Sequence, residues 1–336
     1  MFSNDENSTD DDEESLRTAV LARGIKGYHE AEVSFHGEAD LHQSLIDCEK
    51  NPGHSGFVPA SDFAAEHLPD PYRYDPDVVN FIRAQAELTV RVTSKFTSSQ
   101  RPVGYAFHKF SGKKLLRVGT GFIQYVYMNE GRSTDPCPCP ECKTSPNPKM
   151  DWAKAKIRTA THVVFDKEEA RNTVVELFFD KNDEKDKVHY MYGETVRFGA
   201  IQGDWCDMRV VTHDLDLVER IKETWGRWRW LESKVNQKYR DSDIHRLAVV
   251  VSHPHGCNKQ VSIGRWKERA VIDRCPGWEN CVYTYDAPTC PGSSGAPVWL
   301  LGRMRLGGFY GRHPHSGRPL GDVKLNLSGV GWDRVK

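Results

Sequence analysis

The chain has 336 residues, of which 38% are hydrophobic and 28% are charged, so it has enough apolar material for one large domain or two ordinary ones. The formal net charge of −1 provides no bulk attraction for nucleic acid or for a membrane surface. No apolar run approaches the roughly 20 residues of a membrane-spanning helix. We therefore expect neither a membrane nor a nucleic acid as a partner.

The first segment, residues 1–20, is acidic and polar, with five consecutive acidic residues from Asp10 to Glu14. Such a block has no apolar face to bury, so we expect a disordered tail. A secretory signal would need a basic start and an apolar centre, and neither is present here. This predicts a cytoplasmic or nuclear protein, in which the nine cysteines are free thiols or metal ligands.

The next segment, residues 21–87, has weak patterns in which short apolar pieces lie among Gly, Pro, His and Asp. We expect an N-terminal extension of loops and short helices that wraps a larger body. Asp75 and Pro76 open a helical stretch whose apolar residues recur at helix spacing from Val78 to Ala84.

From residue 88 to residue 336 most of the signals are those of strands. Short runs of β-branched and aromatic residues are separated by Gly, Pro and Asn, which favours an antiparallel sandwich or barrel over βαβ units. The predicted strands cover residues 88–95, 115–123, 173–179, 188–198, 206–211, 247–252, 260–266 and 297–301.

One segment, residues 214–240, breaks the strand pattern. Its apolar residues follow steps of three and four, which predicts an amphipathic helix inserted into the β body. Arg227 and Arg229 alternate with Trp228 and Trp230, a pattern that can bind nucleic acid through charge and stacking. Because the other face of this helix must cover the β body, we interpret the tryptophans as core.

The most informative motif runs from Gly292 to Pro297 and reads Gly-Ser-Ser-Gly-Ala-Pro ahead of an apolar strand. Glycines allow the backbone to fold so closely that two N–H groups converge on one point. An oxyanion can develop at such a point, beside the serine oxygen. We therefore interpret Ser294 as a nucleophile of acyl transfer.

A serine nucleophile needs a base and an orienting acid. His162 follows the small residues Thr-Ala-Thr, and an earlier strand carries Gly119-Thr120-Gly121. With these motifs in this order, residues 88–336 resemble the chymotrypsin-like serine proteases. The resemblance implies an all-β core of two antiparallel six-stranded barrels with the active site between them. It also implies a serine endopeptidase that acts on protein or peptide substrates and needs no cofactor for catalysis.

The acid has two candidates. Asp207 heads an apolar strand and matches the family's Asp-apolar-x-apolar-apolar pattern, whereas Asp214 matches nearly as well but opens the predicted helix. An Asp at a helix start is expected as a cap in any case. We therefore favour Asp207 and keep Asp214 as the alternative.

The resemblance assigns a role to each residue of the site. His162 would take the proton from Ser294, and Asp207 would hold the imidazole. The N–H groups of Gly292 and Ser294 would bind the oxyanion. Ser293 stands where the trypsin branch has an Asp that pairs with a new amino terminus. This departure brings the chain closer to the bacterial glutamyl endopeptidases and other intracellular relatives than to secreted zymogens.

The substrate pocket is expected in the segment from Gly307 to Gly317, which matches the strand after the serine motif. His315 and Ser316 resemble the pocket of the glutamyl enzymes, where a histidine meets an acidic or amide side chain. On that basis the enzyme would prefer Glu or Gln before the scissile bond. The alternative is an ordinary loop histidine in a turn rich in Gly and Pro.

Three cysteines, Cys137, Cys139 and Cys142, form a Cys-x-Cys-x-x-Cys motif interleaved with proline. Zinc prefers four thiolates or imidazoles in a tetrahedron, and a tight turn can present three of them. We expect a structural zinc site with Cys206 as the fourth ligand. Other candidates for that ligand are Cys257, Cys275 and Cys281, and the alternative to zinc is a proline-braced loop of free thiols.

The sequence thus leaves two further classes open besides a serine endopeptidase. A catalytically silent binding or scaffold protein can share this fold, because fold alone does not imply hydrolysis. A zinc-dependent interaction module, centred on the three-cysteine motif, is the other.

Overall fold

The computed structural model describes residues 27–30, 32–128, 135–182, 184–240, 244–303, 313–322 and 324–334. The acidic tail expected over residues 1–20 lies outside these ranges. The helices that the structure describes are α1 (Glu38–Ile46), α2 (Pro76–Leu88), α3 (Pro140–Thr144), α4 (Lys167–Arg171) and α5 (Leu215–Lys238). Across the described ranges, no helix is both long enough and apolar enough to span a membrane.

Strands dominate the rest of the described chain, and all the predicted strands are present, although the strands predicted to end at residues 123 and 266 continue to Met128 and Cys275. The strands are β1 (Gly27–His29), β2 (Glu32–Ser34), β3 (Phe57–Pro59), β4 (Thr89–Ser94), β5 (Leu116–Met128), β6 (Ala153–Thr159), β7 (Thr173–Leu177), β8 (His189–Ala200), β9 (Trp205–Thr212), β10 (Leu247–Ser252), β11 (Gln260–Cys275), β12 (Trp278–Tyr285), β13 (Val298–Leu300), β14 (His315–Pro319), β15 (Asn326–Ser328) and β16 (Gly331–Arg334).

The first sheet is a closed barrel. Its seven strands follow the order β2-β5-β4-β7-β8-β9-β6, and β5 also pairs with β6. This extra pairing closes six of the strands on themselves, all antiparallel. Closure hides the alternate apolar residues of strands such as β7, which are buried, and leaves no open sheet edge on those strands.

The second sheet is a half-barrel. Its main path is β1-β14-β15-β12-β11-β10-β13, with β16 added to β12 and β3 to β11. The segment before β13, at one end of the path, approaches β14, the second strand from the other end, where Pro297 bridges to Pro314. The expected chymotrypsin-like architecture is therefore confirmed, except that the second sheet is a half-barrel and not a closed six-stranded barrel.

The long helix α5 lies on the first barrel, as predicted. Asp214 caps its start by accepting a hydrogen bond from the Leu217 N–H at 3.0 Å. Trp228 is fully buried and contacts the rings of Phe81 and Phe122 at centroid distances of 5.7 and 5.4 Å. This tryptophan is a core residue, whereas Trp230 is exposed.

The N-terminal extension, expected over residues 21–87, contains α1, α2 and several short 3-10 turns. It also contributes three strands to the sheets, since β1 pairs with β14, β2 with β5 and β3 with β11. Because β1 joins the second sheet and β2 joins the first, the chain crosses between the two sheets at residues 29–32.

Candidate active site

His162 lies in the turn that follows β6 and is fully buried. The main chain of this turn is held by a buried guanidinium, because Arg101 Nη2 donates to the carbonyl oxygen of His162 at 3.0 Å. Arg101 is fixed in turn by Glu169, whose carboxylate oxygens lie 2.6 and 2.7 Å from it. Bidentate ion pairs of this kind have a fixed geometry, so the position of the imidazole is well defined.

The acid beside His162 is Asp204. Its carboxylate oxygens lie 2.7 and 2.9 Å from His162 Nδ1, and one of them also accepts from the His162 N–H at 3.0 Å. Thr161 links the turn after β6 to the turn between β8 and β9, since its hydroxyl donates to the carbonyl oxygens of Trp205 and Ala200 at 2.7 and 3.1 Å. Neither Asp207 nor Asp214 occupies this position.

The choice of Asp207 is therefore corrected by the geometry. Asp207 sits inside β9, directly opposite Arg158 of β6, and accepts from its guanidinium at 2.8 and 2.9 Å. Asp214 caps α5 and contacts His189 at 2.8 Å. The register of β6 and β9 fixes the position of Asp207 opposite Arg158. Asp204 lies in the turn before β9, and this turn can reach the end of β6. The Gly203-Asp204 turn was the feature of the sequence that could have indicated Asp204.

Ser294 lies in a buried loop that contacts both sheets. Its carbonyl oxygen accepts from the Thr120 N–H of β5 at 2.7 Å, and the N–H of the next residue, Gly295, donates to the carbonyl oxygen of His315 at 2.8 Å. The preceding Ser293 is fully buried and bonds to the Ser252 hydroxyl at 3.0 Å. A neutral partner thus holds the position where a zymogen-type enzyme would need a charged one.

Gly292 gives this loop its shape. Its φ of +92° is unfavourable for other residues, and a Cβ there would lie 2.6 Å from the His253 carbonyl oxygen. The His255 N–H donates to the carbonyl oxygen of Pro291 at 2.6 Å, so the N–H on the other side of that planar peptide faces away from His255. Among the described residues, no acceptor takes the N–H groups of Gly292 and Ser294, so both are available as donors.

The ionisation of the buried pair suits proton transfer. Burial lowers the pKa of His162, and this effect outweighs the opposing charge of Asp204. Burial alone would raise the pKa of Asp204, but the imidazoles of His162 and His29 hold it well below its usual value. Nε2 of His162 is buried and has no partner within the described part of the chain.

The cleft between the sheets contains a piece of the chain itself. Strand β1 pairs antiparallel with β14, with Gly27 opposite Pro319, Tyr28 opposite Arg318 and His29 opposite Gly317. The two backbones come so close that a Cβ on Gly317 would lie 1.9 Å from the carbonyl oxygen of Tyr28. This is the β-augmentation mode by which a sheet edge binds an extended peptide.

The end of β1 contacts the catalytic constellation directly. The ring of His29 stacks on the ring of His162 at a centroid distance of 4.5 Å and an interplanar angle of 22°. The next residue, Glu30, presents its main-chain carbonyl oxygen to Ser294, whose Oγ donates a hydrogen bond to it. Two adjacent residues of one segment thus contact His162 and Ser294.

The side chain of Glu30 is buried in a pocket beside Ser294. Lys50 Nζ lies 2.6 Å from each of its carboxylate oxygens, and His315 Nε2 lies 3.4 Å from one of them. Nδ1 of His315 bonds to the Tyr285 hydroxyl at 2.6 Å, so the imidazole is held with its Nε2 edge toward Glu30. Burial alone would raise the pKa of Glu30, but His315 and Lys50 lower it to about 2.

The two predicted pocket residues have different positions. His315 faces the Glu30 carboxylate, whereas the Ser316 hydroxyl donates to Asp204 Oδ2 at 2.5 Å and so helps to hold that carboxylate. Of the expected pocket segment, residues 307–312 lie outside the described residues. Lys50 was missed, because nothing in the sequence distinguishes it among the 46 lysines and arginines.

The three-cysteine motif has a histidine as its fourth neighbour. Ligand atoms of Cys137, Cys139, Cys142 and His213 all lie within 4.8 Å of one another, with His213 Nδ1 at 3.4 Å from Cys139 Sγ and 3.5 Å from Cys142 Sγ. The expected fourth ligand, Cys206, is not there; its Sγ lies 3.2 Å from the carbonyl oxygen of Val164, in the barrel core.

The register of two strands explains this correction. Ala153, at the start of β6, pairs with Thr212 at the end of β9, and Thr159 pairs with Cys206 at the other end. The cysteine loop precedes β6, so it meets the residue after Thr212, which is His213. Three thiols and one imidazole are a ligand set that suits a tetrahedral zinc ion.

The fold and the site thus combine a chymotrypsin-like architecture with a serine, a histidine and an aspartate at its cleft. Solved protease structures are similar to this chain at low sequence identity. The Rv3671c protease from M. tuberculosis in its active form has a TM-score of 0.39 and 18% identity over 76% of this chain and 82% of that chain. The serine endoprotease from Yersinia pestis has a TM-score of 0.36 and 12% identity over 78% and 62%.

The HtrA-type protease AlgW, with a tripeptide, has a TM-score of 0.35 and 11% identity over 74% of this chain and 58% of that chain. Likeness at these levels does not establish a shared activity. No protein-family model matches the chain, and no curated protein matches it.

Proposed function

We propose that this protein is a serine endopeptidase that cuts peptide bonds after glutamate, with Ser294 as nucleophile, His162 as base and Asp204 as orienting acid. One observation carries the proposal. In the segment that lies in the cleft, the Glu30 carbonyl accepts a hydrogen bond from Ser294 Oγ, and the ring of His29 stacks on His162. The Glu30 side chain at the same time occupies a basic pocket.

Each group has a defined part in the reaction. Ser294 Oγ attacks the carbonyl carbon that lies where the Glu30 carbonyl lies, and His162 Nε2 accepts its proton and later gives it to the leaving amine. Asp204 holds the proton on Nδ1 and stabilises the imidazolium. The N–H groups of Gly292 and Ser294 stabilise the oxyanion, each contributing on the order of 3 kcal/mol.

Specificity follows from the pocket. Lys50 and His315 direct a positive charge and an N–H donor at the side chain before the scissile bond. A carboxylate satisfies both groups, whereas an amide would leave the buried ammonium without an opposite charge. We therefore expect glutamate to be preferred over glutamine, and both over apolar side chains.

We also propose that Cys137, Cys139, Cys142 and His213 hold a structural zinc ion. The ion would take no part in hydrolysis; it would join the loop before β6 to the end of β9. Main-chain N–H groups already point at the sulfurs, from Cys142 to Cys139 Sγ at 3.4 Å and from Lys149 to Cys142 Sγ at 3.3 Å. Such N–H···S contacts supply the surroundings that bound thiolates need.

The protease proposal is tested with a fluorophosphonate probe and a panel of peptides that differ only in the residue before the scissile bond. Because the chain's own segment lies in the cleft, the wild type is compared with a His29→Ala/Glu30→Ala double variant that weakens its docking. We expect labelling that is lost in Ser294→Ala, and cleavage after Glu. If neither protein is labelled or cuts any peptide, a catalytically silent protein on this fold is the correct description.

The zinc proposal is tested by elemental analysis of the purified protein. We expect that Cys142→Ser and His213→Ala each lower the zinc content by about one ion per chain and lower the melting temperature, since structural zinc contributes to folding. Cys206→Ser is the matched control, because its thiol lies in the barrel core, and it should keep all its zinc. Zinc content that is unchanged in Cys142→Ser would overturn the assignment.

A further inference from the structure

We propose that this chain is its own substrate, and that Ser294 cuts the peptide bond that follows Glu30. The inference rests on the proposed peptidase activity and identifies the substrate that the structure itself places in the cleft. It adds a processing step that separates residues 1–30 from the rest of the chain.

Residues 27–30 are docked in the cleft and do not form a loosely attached tail. The segment is extended, adds an antiparallel strand to β14, and requires the absence of a side chain at Gly317. Four separate contacts then converge on its last two residues. His29 stacks on His162, the Glu30 carbonyl accepts from Ser294, and the Glu30 carboxylate contacts Lys50 and His315.

Burial and charge agree with this interpretation. Glu30 is only 8% exposed, and a buried carboxylate is costly unless it is paired. The pairing is supplied by Lys50, which also bonds to Asn326 Oδ1 at 2.8 Å and is thereby held at the base of the pocket. Because both pocket residues lie after Glu30 in the sequence, the pocket stays intact in the protein when the bond is cut.

The chemistry balances without any added reactant except water. Ser294 Oγ forms an ester bond with the Glu30 carbonyl carbon, its proton passes to His162 Nε2, and the C–N bond to residue 31 breaks as the new amine takes that proton. A water molecule then attacks the ester, gives its proton to His162 and releases the Glu30 carboxylate. The serine is regenerated, and the products are one carboxylate and one amine.

The experiment is to purify the full chain and to determine its mass and its amino-terminal sequence. We expect a protein that starts at Ala31-Glu32-Val33, whereas Ser294→Ala and Glu30→Ala remain whole. Glu49→Ala is the matched control, because it changes a glutamate next to Lys50 without touching the bond, and it should be cut normally. Because the segment lies in its own cleft, the fraction cut per unit time should not change on dilution.

The outcomes separate this inference from the proposed function. If the protein cuts external Glu peptides while residues 1–30 stay attached, self-cleavage is wrong and the peptidase proposal stands. If the chain is cut after Glu30 equally well in Ser294→Ala, another protease is responsible and the inference is also wrong. If neither external nor internal bonds are cut and no probe labels Ser294, the proposed function itself fails.

A second and independent observation concerns a cluster of thiols and imidazoles beside the nucleophile loop. Ligand atoms of Cys48, His54, His255 and Cys290 all lie within 4.8 Å of one another. The Sγ atoms of Cys48 and Cys290 are 3.5 Å apart, and His54 Nε2 lies 3.5 Å from Cys290 Sγ. We infer that this cluster is a second zinc site.

The surroundings of the cluster are those of a metal site. His255 is 4% exposed, and its Nε2 has no hydrogen-bond partner among the residues described, although Nδ1 is held by the Glu32 carboxylate at 2.8 Å. A carboxylate on one ring nitrogen typically orients the other toward a metal ion. Asn51 points its N–H groups at both sulfurs, at 3.4 Å from Cys48 and 3.2 Å from Cys290.

The cluster lies close in sequence to both the pocket lysine and the loop that carries Ser294. Lys50 lies between Cys48 and Asn51 in the sequence, and Cys290 precedes Ser294 by four residues. A metal ion bound here would join the segment that carries the pocket lysine to the loop that carries the nucleophile. It would therefore fix the distance between the glutamate pocket and Ser294.

Metal content again provides the test. We expect Cys48→Ser and His54→Ala to lose about one zinc ion per chain relative to the wild type, independently of the ion that Cys142→Ser removes. Cobalt in place of zinc should give the visible absorption of a thiolate-bound tetrahedral ion, and that band should weaken in Cys48→Ser. A wild type and a Cys48→Ser variant with equal zinc, or a Cys48–Cys290 disulfide in the purified protein, would refute the site.

Discussion

Lys50 and Glu30 form a largely buried ion pair in which Nζ lies 2.6 Å from each carboxylate oxygen, although Lys50 belongs to the N-terminal extension and the pocket belongs to the second sheet. Thr289 and Asn326 complete the surroundings of the ammonium, at 3.1 and 2.8 Å. The extension therefore supplies the cation that faces the Glu30 carboxylate.

The first prediction follows from this pair. Lys50→Met should lower kcat/KM for Glu peptides by about ten- to a hundredfold, since hydrogen bonds to charged groups contribute about 1.5–3 kcal/mol. Peptides with Gln should lose less, so the Glu/Gln ratio falls. Lys238→Met, which removes a surface pair with Asp75, is the control. An unchanged Glu/Gln ratio in Lys50→Met would show that the lysine does not distinguish a Glu side chain from a Gln side chain in the peptide.

The second prediction separates the two aspartates at the start of β9, Asp204 and Asp207. Asp204→Asn should lower kcat by about ten-thousandfold, because an amide in that place favours the wrong tautomer of the imidazole. Asp207→Asn should leave kcat within about tenfold of the wild type but lower the melting temperature, since Arg158 and Lys156 lose their buried counter-charge. Kinetics and thermal melts of both variants check this, and the reverse pattern would restore Asp207 as the acid.

The third prediction concerns pH. Only a neutral imidazole can accept the serine proton, and burial lowers the pKa of His162 from its ordinary value of 6.5. Activity should therefore persist as the pH falls through 6.5 and be lost only at a lower pH. Because the pKa of Glu30 is about 2, the bound carboxylate stays ionised over this range. The kcat profile tests this, and an acid limb with a midpoint above 6.5 would contradict it.

The fourth prediction concerns docking against β14. In Gly317→Ala the new methyl group would lie 1.9 Å from the carbonyl oxygen of Tyr28, so the two strands must separate. Self-cleavage and peptide cleavage should both fall steeply, while the small fluorophosphonate probe should still label Ser294. Gly226→Ala is the control, because a Cβ there meets nothing within 4 Å and Gly226 lies inside helix α5. Equal self-cleavage in both variants would argue against β1 as the bound strand.

Local patterns predicted a large part of this protein. Strand alternation located the strands, the steps of three and four located α5, and the glycine-flanked serine identified the loop of Ser294. These features depend on neighbours in the sequence, because backbone conformation and the burial of one face are set within a few residues. The expected closeness of His315 to an acidic side chain also came from a local match to a family pattern.

The incorrect assignments all concern partners that are distant in sequence. Asp207 was chosen for the imidazole because it heads an apolar strand and matches the family's pattern, and Cys206 was chosen for the metal because strand alternation would point it away from Asp207. The antiparallel register of β6 and β9 decides otherwise, since Thr159 faces Cys206 and Ala153 faces Thr212. The turn after β6 therefore meets the turn before β9, which brings His162 to Asp204. At the opposite ends of these two strands, the cysteine loop before β6 meets His213, which follows β9.

The sequence by itself determined the motifs of His162 and Ser294 and their order, the β-rich architecture and the three-cysteine motif, because each of these depends on residues that are adjacent in the sequence. Only the tertiary structure decided which carboxylate holds His162, which imidazole joins the cysteines, and that Lys50 and Glu30 meet in the cleft. The physical reason is that strand register and the crossing of the chain between two sheets set these distances, and neither is visible in the spacing of residues along the chain.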